Sequence, residues 1–247
     1  MSLVPDNAPF SPHFLQLWFA RVSNSTINAE QTIQNLLSDS EIKRLDSIKS
    51  KNKRREFLLS RALMRHALSQ NFPGQENKWL FIERPGLAPV ISNLPDSIYT
   101  SLSHSHGFVC FAISSDRIGI DLENADKQRD FVVLAEIFMN DEELNNLHLN
   151  ESTQIDQFYQ IWCAKEAYYK FLTPSEQSDI SLKKICFSEL IENDSNCYLV
   201  EGKIDQYRFA SITRNKPAKI IFNYFLTTGE CPGLYMDPID CTAEGRS

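Results

Sequence analysis

The sequence predicts an α+β fold of two pseudo-symmetric halves, each a small antiparallel sheet packed with one long helix, with the active site in the cleft between them. Three observations lead there. The 247 residues are 42% hydrophobic and 11% aromatic, enough to bury one large core or two small ones. Strand-like and helical patterns alternate along the chain instead of one type dominating. The order strand, short helix, long basic-striped helix, then several strands occurs once in each half.

The first half spans 1–115. Phe14 to Val22 reads as a strand, rich in aromatic and apolar residues. Ser38-Asp39-Ser40-Glu41 carries capping chemistry for a short helix through Lys43 and Leu45. A longer helix follows from Lys51 to Gln70, with Phe57, Met64 and Leu68 on an apolar face and Arg54, Arg61 and Arg65 at helical spacing. Short apolar runs broken by turn residues then predict strands at Trp79 to Ile82, Val90-Ile91, Tyr99 to Ser103 and Phe108 to Ile113.

The second half, 116–228, repeats the order. Arg117 to Glu123 is strand-like, Phe131 to Phe138 and Asp141 to Leu147 are helical, and a long helix runs from Ile155 to Leu172. Strands are expected at Lys184 to Phe187, Tyr198 to Val200, Tyr207 to Thr213 and Lys219 to Leu226. Residues 229–247 show no periodicity and are expected to form an irregular tail.

Bulk properties exclude several function classes. A net charge of −7 and a pI near 5.3 speak against a basic footprint for nucleic acid or anionic lipid, so an anionic ligand must be met by local positive charge. The six cysteines, Cys110, Cys163, Cys186, Cys197, Cys231 and Cys241, form no C-x-x-C pair and read as reduced thiols of a cytoplasmic protein. No apolar run approaches a signal-peptide core or a membrane span. The five histidines lack the spacing of a zinc helix, and no phosphate-cradling glycine motif is present.

Three short stretches carry chemistry. In Ile118-Gly119-Ile120-Asp121-Leu122-Glu123 the two carboxylates fall on one face of a strand and the aliphatic residues on the other. Such a pair invites a cation, although a solvated strand end reads the same way. On the long helix, Glu166 and Lys170 share a face, with Lys165 beside them; a surface ion pair is the plain alternative. The third stretch is Ser101-Leu102-Ser103-His104-Ser105-His106-Gly107, histidines among small hydroxyl residues, equally readable as a hydrogen-bonded loop.

In this order the three stretches resemble the signature of the surfactin-type 4′-phosphopantetheinyl transferases: a Ser-His segment, G-[IV]-D-x-E, then [FW]-x-x-K-E-[AS]-x-x-K. The interval from Asp121 to Lys165, 44 positions, is similar to that of the family. Lys53 to Phe57 and Ser60 to Arg65 resemble its basic N-terminal helix, so the likeness extends from about Ser38 to Leu172.

The resemblance implies a monomeric, cytoplasmic transferase that moves the phosphopantetheine arm of coenzyme A to a serine of an apo carrier protein, releasing 3′,5′-ADP. It implies Mg²⁺, with Mn²⁺ as a substitute, held by Asp121, Glu123 and Glu166. Glu166, Lys165 and Asp121 take catalytic roles, and Lys53, Arg61, Ser103, His104, Asp121, Lys165 and Lys170 bind coenzyme A. A coenzyme A-binding protein without catalysis and a metal-dependent phosphoesterase are the alternative readings. Two departures stand out: Gly86-Leu87-Ala88-Pro89 lacks the lysine of the family's turn, and Glu41 stands where some members carry lysine, with Lys43 and Arg44 nearby. Carrier docking is expected on a local apolar and basic patch around Phe138, Met139 and the helix after it.

Overall fold

A computed structural model describes residues 13–22, 30–75, 78–84, 86–126, 130–148, 153–192 and 197–225. The predicted tail, 229–247, lies outside the described residues, as do Cys231 and Cys241.

Strand β1 (Phe14–Arg21) is followed by helices α1 (Asp39–Ser47) and α2 (Lys51–Asn71), the hairpin β2 (Phe81–Arg84) and β3 (Leu87–Ile91), and strands β4 (Tyr99–Ser105) and β5 (Phe108–Ser114). The second half contains β6 (Ile118–Asn124), α3 (Phe131–Phe138), α4 (Asp141–His148), α5 (Gln154–Phe171), α6 (Pro174–Asp179), a 3₁₀ turn at Leu182–Lys184, α7 (Phe187–Ile191), β7 (Tyr198–Ile204), β8 (Tyr207–Thr213) and β9 (Lys219–Phe225).

The strands form a sheet in the order β4-β5-β1-β9, a second in the order β6-β8-β7, and the separate β2-β3 pair. Period-two geometry explains how the two larger sheets stack. On β5, Val109, Phe111 and Ile113 join a core with Leu59, Leu63, Met64 and Ala67 of α2. The alternate residues Phe108, Cys110 and Ala112 join a second core with Ile118, Ile120, Leu122 and Phe209. On the far side of the second sheet, Ala210 and Ile212 pack against Cys163, Ala164, Ala167 and Phe171 of α5. The layers are therefore α2, first sheet, second sheet, α5. The sheets meet through a shared apolar core.

Local signals set the helix starts. Ser38 and Glu41 form a capping box at α1, and the Ser50 hydroxyl accepts from the Lys53 N–H at the start of α2.

Three expectations are corrected. Strand β9 does not close the second sheet: it pairs in parallel with β1, Phe14 opposite Lys219 and Ala20 opposite Phe225. A parallel pair needs a long crossover, and the second half supplies it; the first sheet is therefore mixed, and the cut at 115/116 does not separate the two sheets. The run from Lys184 to Phe187 is not a strand: it extends from the last residue of the 3₁₀ turn to the first of α7, because so short an apolar run does not distinguish the two states. Phe138 and Met139 are buried, which removes them as docking residues. Among the described residues no helix is long and apolar enough to cross a membrane.

Candidate active site

The site is built where β6 meets β4 on one side and α5 on the other. Gly119 sets the approach of the helix. A Cβ there would lie 2.0 Å from the Ala167 carbonyl oxygen and 2.5 Å from the Phe171 nitrogen, so only glycine lets α5 lie this close. Asp121 and Glu123 follow on the same face at period two.

Asp121 is buried, and its Oδ1 accepts from the Ser103 hydroxyl at 2.9 Å and from Lys170 Nζ at 2.7 Å. Its second oxygen, Oδ2, is buried without a hydrogen-bond partner. Glu123 accepts from the Ser105 hydroxyl at 3.0 Å. Glu166, one turn before Lys170 on α5, has its pKa raised by burial and then by the charge of Asp121, with Lys170 opposing. Burial alone would lower the Lys170 pKa, but Asp121 and then Glu166 outweigh it and the net shift is upward. Asp121, Glu166 and Lys170 thus form one electrostatic group.

Two clefts lie nearby, one reaching Glu123 and the other Lys170. One, of about 900 Å³, is lined by Lys53, Glu56, His104, His106 and Glu123 among others. The other, of about 410 Å³, is lined by Arg44, Lys53, Glu56, Arg61, His104 and Lys170 among others, together with residues 86–89. Lys53, Glu56 and His104 belong to both, so the clefts join at these three side chains. His104 Nδ1 lies 2.6 Å from Glu56 Oε1, and Glu56 also accepts from the Gly107 N–H at 2.6 Å. Burial would raise the Glu56 pKa, but the His104 contact and the Gly107 N–H bring it below the usual value.

The structure separates the expected residues into groups. Asp121, Glu166, Lys170 and Ser103 come together, Glu123 stands two residues along the strand, and Lys53 and His104 face the clefts. Lys165 does not join them. It points to the opposite side of α5, fully buried, with Nζ 2.5 Å from Glu143 and 2.9 Å from the Phe138 carbonyl oxygen. Adjacent residues on a helix diverge by about 100°, and Lys165 therefore holds α3 and α4 to α5.

Arg61 is committed as well: it is buried and pairs with Glu83 at 2.6 Å and Glu41 at 3.5 Å, leaving little charge for a ligand. Glu41 also binds both terminal nitrogens of Arg65, at 2.9 and 2.6 Å. The glutamate is thus the centre of a buried ion network rather than a failed phosphate contact. The Ser103 hydroxyl is engaged by Asp121 and Lys170, and Ser103 is not among the residues lining either cleft.

The closed shell of three carboxylates is not preassembled, because among the described residues no three His, Cys, Asp or Glu side chains are gathered to hold a metal. The donor set nonetheless fits a hard divalent cation that takes one or two carboxylates and completes its shell with substrate phosphate and water. The partnerless buried Oδ2 of Asp121 is the observation that favours this.

Sequence reasoning missed Glu56 and Ser105. Glu56 gave no local signal, since its partners lie about fifty residues away. Ser105 did, as the third member of the alternation Ser101, Ser103, Ser105.

Fold and site together define an α+β protein in which Glu123 and Lys170 line clefts suited to a phosphate-bearing ligand, with Asp121 buried behind Lys170. Residues 117–227 match the model of the 4′-phosphopantetheinyl transferase superfamily. The chain is 29% identical over 159 residues to 4′-phosphopantetheinyl transferase Sfp of Bacillus subtilis (strain 168), covering 60% of this chain and 68% of that protein. It is 27% identical over 172 residues to 4′-phosphopantetheinyl transferase psf-1 of Bacillus pumilus (66% and 72%). To 4′-phosphopantetheinyl transferase ffp of Bacillus subtilis it is 28% identical over 159 residues (60% and 68%). The match to the 4′-phosphopantetheinyl transferase superfamily thus lies in residues 117–227, and the similarity to the three transferases covers 60–66% of the chain.

Proposed function

We propose that this chain transfers the 4′-phosphopantetheine arm of coenzyme A to a serine hydroxyl of an apo carrier protein, acting as a cytoplasmic monomer. The observation that carries the reading is Asp121: one oxygen is tied to Ser103 and Lys170, the other is buried without a partner, and Glu166 lies within reach of its charge.

In the reaction the carrier serine oxygen bonds to the β-phosphorus of coenzyme A, the bond from that phosphorus to the bridging oxygen breaks, and 3′,5′-ADP leaves with the electron pair. Chemistry of this type is carried mainly by positioning and by charge stabilisation. Asp121, Glu123 and Glu166 are the residues that would hold Mg²⁺ or Mn²⁺, which supplies neutralisation of the pyrophosphate when bound. Glu166 accepts the proton of the carrier serine, and its raised pKa makes it a stronger base than an ordinary glutamate. Lys170, held in its charged form by Asp121 and Glu166, offers a fixed positive charge to the pyrophosphate. Lys53 and His104, at the junction of the clefts, bind the phosphates of the adenosine end, with His104 oriented by Glu56.

The test is the intact mass of an apo carrier protein after incubation with the chain, coenzyme A and Mg²⁺. A gain of one phosphopantetheine arm is expected. Coenzyme A binding with an unmodified carrier would replace this reading by that of a binding protein, and release of free phosphopantetheine would replace it by a phosphoesterase.

A further inference from the structure

Strands β4 and β6 are edge strands of different sheets, and serine side chains join them. The hydroxyls of Ser101, Ser103 and Ser105 accept from the backbone N–H groups of Ile120, Leu122 and Asn124 at 3.1, 3.2 and 3.4 Å. Both strands alternate with period two, so three serines on one face of β4 meet three successive N–H groups along one edge of β6. The ladder satisfies an edge that the second sheet leaves open.

A serine hydroxyl that accepts a hydrogen bond still has its own proton to give. Ser103 gives it to Asp121 Oδ1 at 2.9 Å, and Ser105 to Glu123 Oε2 at 3.0 Å. The offset is 18 residues in both pairs, and at the same offset from Ser101 stands Gly119, which has no side chain to receive a proton. The three serines therefore share the seam, and only two of them touch a carboxylate.

We propose that Ser103 and Ser105 are positioning residues that orient Asp121 and Glu123 for a divalent cation, whereas Ser101 serves the seam alone. Ser103 holds Asp121 by one oxygen, with Lys170 on that same oxygen, and so leaves Oδ2 as the face available to the cation. Ser105 fixes Glu123 to the same strand edge. Because the hydroxyls are themselves anchored by backbone N–H groups of β6, the carboxylates and their orienting groups move as one unit. This inference rests on the reading of Asp121 and Glu123 as cation ligands.

The experiment is direct Mn²⁺ binding to the full chain in the presence of coenzyme A, followed by electron paramagnetic resonance of free Mn²⁺, with melting temperature recorded for every variant. Loss of an orienting partner is expected to weaken Mn²⁺ about 10- to 100-fold in Ser103→Ala and in Ser105→Ala, and by less than about two-fold in Ser101→Ala. All three variants lose one seam hydrogen bond, so a drop in melting temperature is expected in each and does not separate them. Ser105→Thr keeps the hydroxyl and is expected to bind as the wild type does, which carries the test should Ser103→Ala not fold. Wild-type Mn²⁺ affinity in Ser105→Ala, or an equal loss in Ser101→Ala, overturns the positioning role. Absence of Mn²⁺ binding in the wild type with coenzyme A bound overturns the cation reading itself, and this inference with it.

Discussion

Replacing Gly119 by alanine tests how closely α5 must lie against β6. The added Cβ would stand 2.0 Å from the Ala167 carbonyl oxygen, 2.5 Å from the Phe171 nitrogen and 3.0 Å from the Lys170 carbonyl carbon, where Cβ contacts under 3.0 Å are essentially never seen. All three atoms are helix backbone, so no rotamer change relieves the clash, and α5 must retreat by at least about 1 Å. That shift stretches the 2.7 Å pair between Lys170 and Asp121 past hydrogen-bonding distance and carries Glu166 away with it. Overpacking of this kind costs about 1–3 kcal/mol, less than the roughly 5–15 kcal/mol that keeps a domain folded. A misplacement of about 1 Å costs on the order of 10²-fold in rate. The assay is kcat/KM for phosphopantetheine transfer, beside urea denaturation. Gly202→Ala is the control, since the atoms nearest its Cβ would be those of the Phe209 ring, at 2.8 Å, a side chain that can move. Activity within a few-fold of wild type in Gly119→Ala, or an equal fall in Gly202→Ala, would refute the reasoning.

Glu166→Gln is expected to lower turnover on the order of 10²-fold or more, as for a lost base, and to stabilise the fold. The Glu166 pKa is raised, so between the ordinary value of 4.5 and its raised one the native state keeps a proton that the unfolded chain has released, and wild-type stability falls as pH rises through that window. Urea midpoints should diverge in favour of the variant as pH increases, and parallel midpoints at every pH would contradict the assignment. Lys165→Met leaves the buried Glu143 without its cation, with only the Asn140 and Phe187 N–H groups on it, so a loss of about 3–5 kcal/mol in stability is expected; kcat/KM of the folded variant, measured well below its melting temperature, should stay within a few-fold of wild type. His104→Ala removes a charge-assisted contact worth roughly 10-fold in affinity, so KM should rise for coenzyme A and change little for dephospho-coenzyme A, with calorimetry as the check.

Much of this was legible in the sequence because it is local. The alternation of aliphatic and acidic residues in 118–123 placed the carboxylates on one face, and the spacing of Glu166 and Lys170 placed them together on a helix. The capping box at Thr173 and Glu176, with Pro174 at the first helical position, was also legible as a helix start, and its six-residue helix was nonetheless missed. Other features depend on contacts that spacing does not encode. Lys165 and Lys170 look alike in sequence, yet one pairs with Glu143 of α4 and the other with Asp121 of β6. The joining of β9 to β1 is a pairing across the length of the chain. Gly119 was visible as a motif glycine, but its reason, the backbone of α5 lying against it, appears only when the helix is in place.

The central claim is that the carboxylates of β6 and α5 face one divalent cation beside the pyrophosphate of coenzyme A. Anomalous diffraction from a crystal of the chain with coenzyme A and Mn²⁺ tests it most directly. One manganese peak is expected, bounded by Asp121, Glu166 and the pyrophosphate, with Glu123 on the same side. Well-defined coenzyme A with the manganese elsewhere, or with Lys170 still holding Asp121 and no metal present, would contradict it.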